Sequence, residues 1–116
     1  MELHGQRILV MGASGGAGAA IVEAMIACGG DVIAASRRRT ALYDLRASLR
    51  HHERLHTAEC DATDAGGVEA LFTSIETRAP LDGVVHATRA GASHVLRAAA
   101  SRMGARGRGL DRKSVV

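Results

Sequence analysis

The stretch Gln6-Arg7-Ile8-Leu9-Val10-Met11-Gly12-Ala13-Ser14-Gly15-Gly16-Ala17-Gly18 decides the fold. Residues 6–11 form a short apolar run of the kind that fills a buried strand, and it ends abruptly in glycines. A helix then follows from Gly16 to Cys28. Ile21, Ala24, Met25 and Cys28 take the i, i+3, i+4, i+7 positions of one apolar face, and Gly29-Gly30 stop it. A glycine-rich turn between a strand and a helix start is a ready anion site, because the first helical amides lack partners and carry the positive end of the dipole. Glycine admits positive φ and lets a diphosphate approach where a β-carbon would block it. Gly12, Ser14, Gly15, Gly16, Ala17 and Gly18 are therefore the candidate phosphate-binding residues. The alternative is a structural turn with no ligand. A Walker-type loop is excluded, since no Gly-Lys-Ser/Thr occurs and the sole lysine is Lys113.

Outward from this turn the pattern repeats. A second strand is expected at Asp31 to Ser36, then a helix from about Arg39 to Arg50 with Leu42, Leu45 and Leu49 inward. A weaker, more polar strand around Arg54 to Cys60 suits an edge. Thr63 or Asp64 would cap a helix from about Ala65 to Arg78 whose Val68, Leu71, Phe72 and Ile75 mark one face. Pro80 breaks it, and Leu81 to Ala87 reads as a fourth strand. Ser93 to Met103 reads as a further helix with Val95, Leu96, Ala99 and Met103 on one side. Strands and helices alternating at this spacing predict an α/β protein: a Rossmann-type, doubly wound parallel sheet in the order 3-2-1-4, with its ligand at the carboxyl ends of strands 1 and 4.

Composition agrees. The 116 residues are 47% hydrophobic with 14 glycines, while Phe72 and Tyr43 are the only aromatics, so aliphatic side chains must fill the core. The net charge of +3 is uneven: residues 1–96 carry nine Arg against eleven Asp and Glu, and residues 97–116 carry five Arg and one Lys against one Asp. A body with slight acidic excess and no stacking aromatics speaks against nucleic-acid binding. Cys28 and Cys60 form no C-x-x-C, so no zinc site or disulfide framework is expected and a cytoplasmic setting is the default. Cys28 reads as core and Cys60 as half-buried. No leader is evident, and no apolar run nears the roughly 18 residues that span a bilayer, so no membrane partner is expected.

The motifs resemble those of the short-chain dehydrogenase/reductase family. MGASGGAG (residues 11–18) is similar to its T-G-x-x-x-G-x-G turn, with Met11 where Thr is usual and Gly12, Gly16 and Gly18 on the three motif glycines. Cys60-Asp61-Ala62-Thr63-Asp64 resembles the D-x-T-D segment after the third strand. The resemblance implies that Asp61 accepts a hydrogen bond from the adenine amino group and that Ala62 lines the adenine pocket. Leu81-Asp82-Gly83-Val84-Val85-His86-Ala87 resembles the fourth strand running into N-N-A-G, with His86 and Ala87 in place of the Asn pair in a chain that has no Asn. In the family that segment borders the nicotinamide ribose. The likeness covers about residues 5–91, and its details point to the 3-oxoacyl-carrier-protein reductase and ketoreductase-like branch.

A carboxylate at the end of the second strand would select NAD(H). Ser36-Arg37-Arg38-Arg39 stands there instead, and guanidinium groups bind a 2′-phosphate through charge-assisted bonds. NADP(H) is thus expected over NAD(H), with Ser36 and Arg37 as first contacts and Arg38 as a second. The alternative is a solvated helix start, which the helix dipole disfavours for arginine. The family's Tyr-x-x-x-Lys pair, in which the lysine lowers the phenol pKa, has no counterpart: Tyr43 is followed four residues on by Ala47. No catalytic residue is therefore expected in the chain. His51 and His52 read as solvated.

Residues 1–91 are expected to form the nucleotide-binding domain, and residues 92–110 a helix and Gly/Arg-rich loop leading towards a fifth strand. Residues 111–116, Asp-Arg-Lys-Ser-Val-Val, read as a foreign tail, matching the translation of a common sequencing-library adapter. On that reading the chain is a fragment whose fourth strand exposes an edge, favouring homo-oligomers or edge-strand association. The expectation is the NADP-binding portion of an oxidoreductase, the alternative a non-catalytic NADP(H)-binding module or sensor.

Overall fold

An apolar run without polar alternation is stable only where both its faces are covered. Arg7–Met11, strand β1, occupies such a place at the centre of a four-stranded sheet. The computed structural model describes residues 2–13, 16–50, 52–87 and 91–103. Along them β1 is followed by α1 (Gly16–Ala27), β2 (Asp31–Ser36), α2 (Arg39–Ser48), β3 (Leu55–Glu59), α3 (Ala65–Glu76), β4 (Gly83–His86) and α4 (Ala92–Met103). Ser14, Gly15, His51 and residues 104–116, with the expected loop and foreign tail, lie outside the described residues.

All strand pairs are parallel and the order is β3-β2-β1-β4, as expected. Val10 pairs in register with Ala34 on one side and Val85 on the other. The chain leaves β1 towards β2 and β3, then crosses back to β4. The reversal of direction at β1 opens a crevice at the carboxyl ends of β1 and β4. Side chains alternate across the strands: Ile8 and Val10 pack with α1 and α2 through Val22, Ile26, Leu42 and Leu45, while Leu9 and Met11 pack with α3 and α4 through Phe72, Ile75 and Val95.

Three expectations about helix faces and cysteines are corrected. The buried face of α1 is Gly18, Val22 and Ile26; Ile21 and Met25 flank it, Ala24 is exposed and Cys28 is only partly covered. Nearly every residue of α1 is apolar or small, so periodicity could not fix its rotation, and the contact of Gly18 with the turn after β1 does so instead. In α4, Val95, Ala98 and Ala99 are buried whereas Leu96 is 43% exposed. Alanine fits the close approach to the sheet there and leucine turns outward. Cys60 is buried, not half-buried, because it closes β3 by donating its N–H to the Ser36 carbonyl at 2.9 Å. Asp64 is the N-cap of α3 by backbone position but makes no side-chain cap bond.

Two arginines tie helix ends to the amino edge of the sheet. Arg7 donates from Nη1 to the carbonyls of Ile75 and Ala79 at the end of α3, and its N–H donates to Asp82 Oδ2 at 2.8 Å. Arg54 donates to the Ile26 carbonyl at 2.7 Å and to that of Gly30 at 3.2 Å, at the end of α1. Both add charged donors to carbonyls in the last turns of these helices, where those of Ile75 and Ile26 also accept backbone amides. On the other face Arg102 of α4 lies 5.4 Å from the Phe72 ring centroid and pairs with Glu69, joining α4 to α3.

Candidate functional site

The expected site residues that are described stand at the carboxyl end of the sheet. Register explains the gathering: Met11 at the end of β1 is level with Ala35 and His86, and Ser36 is level with Glu59. The turns after β1, β2 and β3 and the end of β4 therefore face one crevice.

The turn after β1 is drawn against β2, where the Gly12 and Ala13 amides both donate to the Ala35 carbonyl, at 2.8 and 3.0 Å. Its motif glycines have different reasons to be glycine. Gly12 has φ of +83°, a left-handed conformation that other residues adopt only with strain. A β-carbon on Gly18 would strike the Gly12 carbonyl oxygen and stand 2.9 Å from Ala13 Cα. A β-carbon on Gly16 would meet no described atom within 4 Å. Open space therefore lies beside this exposed first residue of α1, at a helix start whose amides favour an anion.

At the end of β2, Ser36 is buried and its Oγ accepts the Arg38 N–H at 3.1 Å, so it shapes the turn from below. Arg37 and Arg38 are exposed, and neither forms an ion pair among the described residues. Arg39, the first residue of α2, donates from Nε to Glu59 Oε2 at 2.9 Å, and that bond raises its pKa. Between the turn and α2 runs a groove of about 370 Å³, floored by Ala13, Ala19 and Ala41 and edged by Arg38, Thr40 and Asp44. A larger groove of about 500 Å³ runs along β3 and α3, from Arg7 and Asp31 to Ala58 and Leu71, and none of the expected site residues lines it.

After β3, Asp61 is exposed and its Oδ1 accepts two bonds from Thr63, from the hydroxyl at 2.7 Å and the N–H at 2.9 Å. The hydroxyl bond first, then the amide bond, hold the Asp61 carboxyl below its usual range; burial opposes them, and the Arg37 charge adds the least. It stays an acceptor at neutral pH. Ala62 is buried, and Gly91, with φ of +76°, presses against its carbonyl from the start of α4. Burial pushes the Cys60 thiol up, helped by Asp61 and Asp64, so this sulfur is a core group and no nucleophile. His86 and Ala87 are half-buried, and the Ala87 N–H donates to the Met11 carbonyl at 2.8 Å.

Glu59 is the neighbour of the site that sequence reasoning passed over, and Thr63, expected as a cap, bonds Asp61 instead. Parallel pairing of β2 with β3 was the available signal, since it sets Glu59 beside Ser36. Tyr43 lies on α2, 61% exposed. Among the described residues no group of three His, Cys, Asp or Glu is placed to hold a metal ion, and no helix is long and apolar enough to cross a membrane.

Residues 6–105 match the family described as short chain dehydrogenase. No curated protein matches the chain. Among solved structures it resembles a short-chain dehydrogenase from Streptomyces avermitilis, at 28% identity and a TM-score of 0.77 over 90% of this chain and 46% of that one. It also resembles serine dehydrogenase from Escherichia coli, at 25% identity and a TM-score of 0.77 over 90% of this chain and 59% of that one. A third similar structure is a short-chain dehydrogenase/reductase (glucose/ribitol dehydrogenase) from Brucella melitensis, with 30% identity and a TM-score of 0.67 over 73% and 37% of the two chains. The chain thus spans between 37% and 59% of the length of these solved structures.

Proposed function

The chain belongs to the short chain dehydrogenase family, and from that premise we propose that it is the NADP(H)-binding part of an oxidoreductase acting between an alcohol and a carbonyl compound. Membership implies an NAD(P) dinucleotide. The observation that carries the finer reading is the pairing of an open helix start at Gly16 with two exposed guanidinium side chains, Arg37 and Arg38, across the same crevice.

The residues fit such a ligand. Gly12, its own amide bonded to the Ala35 carbonyl, would turn the chain so that amides of residues 14–18 (Ser14, Gly15, Gly16, Ala17, Gly18) hold the diphosphate. Arg37 and Arg38 would grip the 2′-phosphate, with Ser36 fixing the backbone that presents them. Asp61, its free oxygen aimed by the Thr63 bonds to the other, would accept the adenine amino hydrogen, and Ala62 would line that pocket. His86 and Ala87 would border the nicotinamide ribose. When bound, the nicotinamide supplies hydride transfer; this chain's residues bind and orient it.

No proton donor is assigned within the chain. Tyr43 points to solvent from α2, with Ala47 one turn on. The second reading is a non-catalytic NADP(H)-binding module, which a hydride-transfer assay on the whole protein separates from the first. Residues 1–91 would form the binding unit, 92–110 the helix and loop beyond it, and 111–116 a foreign tail. With both cysteines free, a cytoplasmic location fits.

Calorimetric titration with NADPH and NADH tests the proposal. NADPH is expected to bind at least tenfold more tightly, the contribution of about one charge-assisted hydrogen bond. Folded protein that ignores both nucleotides at millimolar concentration refutes the site, and equal affinities refute the NADP(H) preference.

A further inference from the structure

Of the three consecutive arginines after β2, one is already engaged. Arg39 Nε donates to Glu59 Oε2 at 2.9 Å, whereas Arg37 and Arg38 have no ion-pair partner among the described residues. Glu59 closes β3 as the register partner of Ser36, and the Cys60 N–H bonded to the Ser36 carbonyl at 2.9 Å locks the two strand ends together. A carboxylate is thereby fixed beside the place where Arg37 and Arg38 would receive a phosphate. Within a Debye length, about 8 Å at physiological salt, a carboxylate repels a phosphate with little screening. Arg39 is the sole cation within ion-pair distance of Glu59 among the described residues.

We propose that Arg39 governs selection of the 2′-phosphorylated dinucleotide by neutralising Glu59, not by touching the phosphate, so that Glu59 is a latent determinant against NADP(H) that its partner holds in check. The inference rests on the cofactor reading above. Arg39 is here a positioning and charge-balancing residue, and the direct grip belongs to Arg37 and Arg38. The bond through Nε holds the guanidinium against Glu59 at the end of β3. Both side chains of the pair are well exposed, 68% and 49%, so replacing either leaves the fold intact.

The test is a double-mutant cycle read by calorimetric titration with NADPH and with NADH, each variant first shown by thermal melting to be folded. Arg39→Ala is expected to weaken NADPH roughly three- to tenfold by exposing the Glu59 charge, and to leave NADH within about twofold. Glu59→Gln is expected to tighten NADPH by about threefold, since Arg39 then adds an uncompensated positive charge. The double variant should return to within about twofold of the wild-type NADPH affinity. A double variant as weak as Arg39→Ala overturns the inference and makes Arg39 a direct phosphate ligand. An equal loss for NADH overturns it too, because the effect would not concern the extra phosphate. If the wild-type protein shows no preference for NADPH, the cofactor reading itself fails, a result distinct from both.

Discussion

Gly16 and Gly18 lie two residues apart in one motif, yet alanine should do opposite things at the two positions. At Gly18 the new methyl would meet the Gly12 carbonyl oxygen and stand 2.9 Å from Ala13 Cα. Both are backbone atoms, held in turn by the Ala35 carbonyl, and cannot swing aside as a side-chain tip would. Overpacking of this kind costs about 1–3 kcal/mol, offset by about 0.5–1 kcal/mol from replacing glycine in a helix. Gly18→Ala should therefore destabilise the fold by up to about 2.5 kcal/mol, each kcal/mol lowering the melting temperature by about 4–8 °C in a domain of this size. At Gly16 the methyl meets no described atom within 4 Å, and the residue begins α1. Gly16→Ala should then leave stability unchanged or raise it by up to about 0.5 kcal/mol, while obstructing the approach of a diphosphate. Urea denaturation without ligand and calorimetric titration with NADPH separate the two quantities. The expected result for Gly16→Ala is an undiminished midpoint with affinity reduced at least about tenfold, or about 1.4 kcal/mol of binding. Undiminished NADPH affinity in folded Gly16→Ala would refute the assignment of this turn as the phosphate cradle. Unchanged stability in Gly18→Ala would refute the packing argument.

Replacing Arg37 and Arg38 together by Ala should remove the NADPH preference, with about 1.5–3 kcal/mol at stake for each charged hydrogen bond lost, and NADH titration should show little change. Asp61 has a folded-state pKa below its unfolded value near 3.8, so its contribution to stability is complete above that value and disappears as pH falls through the lower folded one. Thermal melts from pH 6 down to about pH 2 should lose less stability in Asp61→Asn than in the wild type over the acid part of that range. An identical slope would show that the Thr63 bonds do not favour the ionised form. Arg7→Met strips the carbonyls of Ile75 and Ala79 of a charged donor and should cost about 1–3 kcal/mol in urea denaturation without altering nucleotide affinity. Among the described residues β4 pairs with β1 alone, so Gly83-Val84-Val85 offers an apolar edge. Sedimentation velocity should reveal concentration-dependent association, and a monodisperse monomer with a cooperative melt would count against it.

The strands and the glycine turn were legible in the sequence because each is a local signal. An apolar run such as Ile8-Leu9-Val10-Met11 admits only a covered central position, and glycines at 12, 16 and 18 between a strand and a helix mark an anion-receiving turn. Strand order followed from the alternation and the handedness of crossovers. The rotation of α1 was illegible for the opposite reason: with Gly, Ala, Val, Ile and Met on every side, no face stands out until Gly18 meets Gly12. Leu96 misled because hydrophobicity alone ranks it above Ala98 and Ala99, whereas the sheet accepts only the small side chains there. At the site, the arginine run was visible but the division of labour within it was not. Arg39 and Glu59 are twenty residues apart in the chain, and only the pairing of β2 with β3 brings them together.

Arg7 and Arg54 have a consequence for how the protein can respond to a ligand. Each clasps the carboxyl terminus of a helix to the root of a strand, so α3 and α1 are both bolted at the lower rim of the sheet. Their opposite ends carry the unpaired amides and meet the crevice. Adjustment on binding is expected at the upper rim, where the helix starts lie farthest from these anchors, so side chains a full strand length from Gly16 bear on how its amide is aimed.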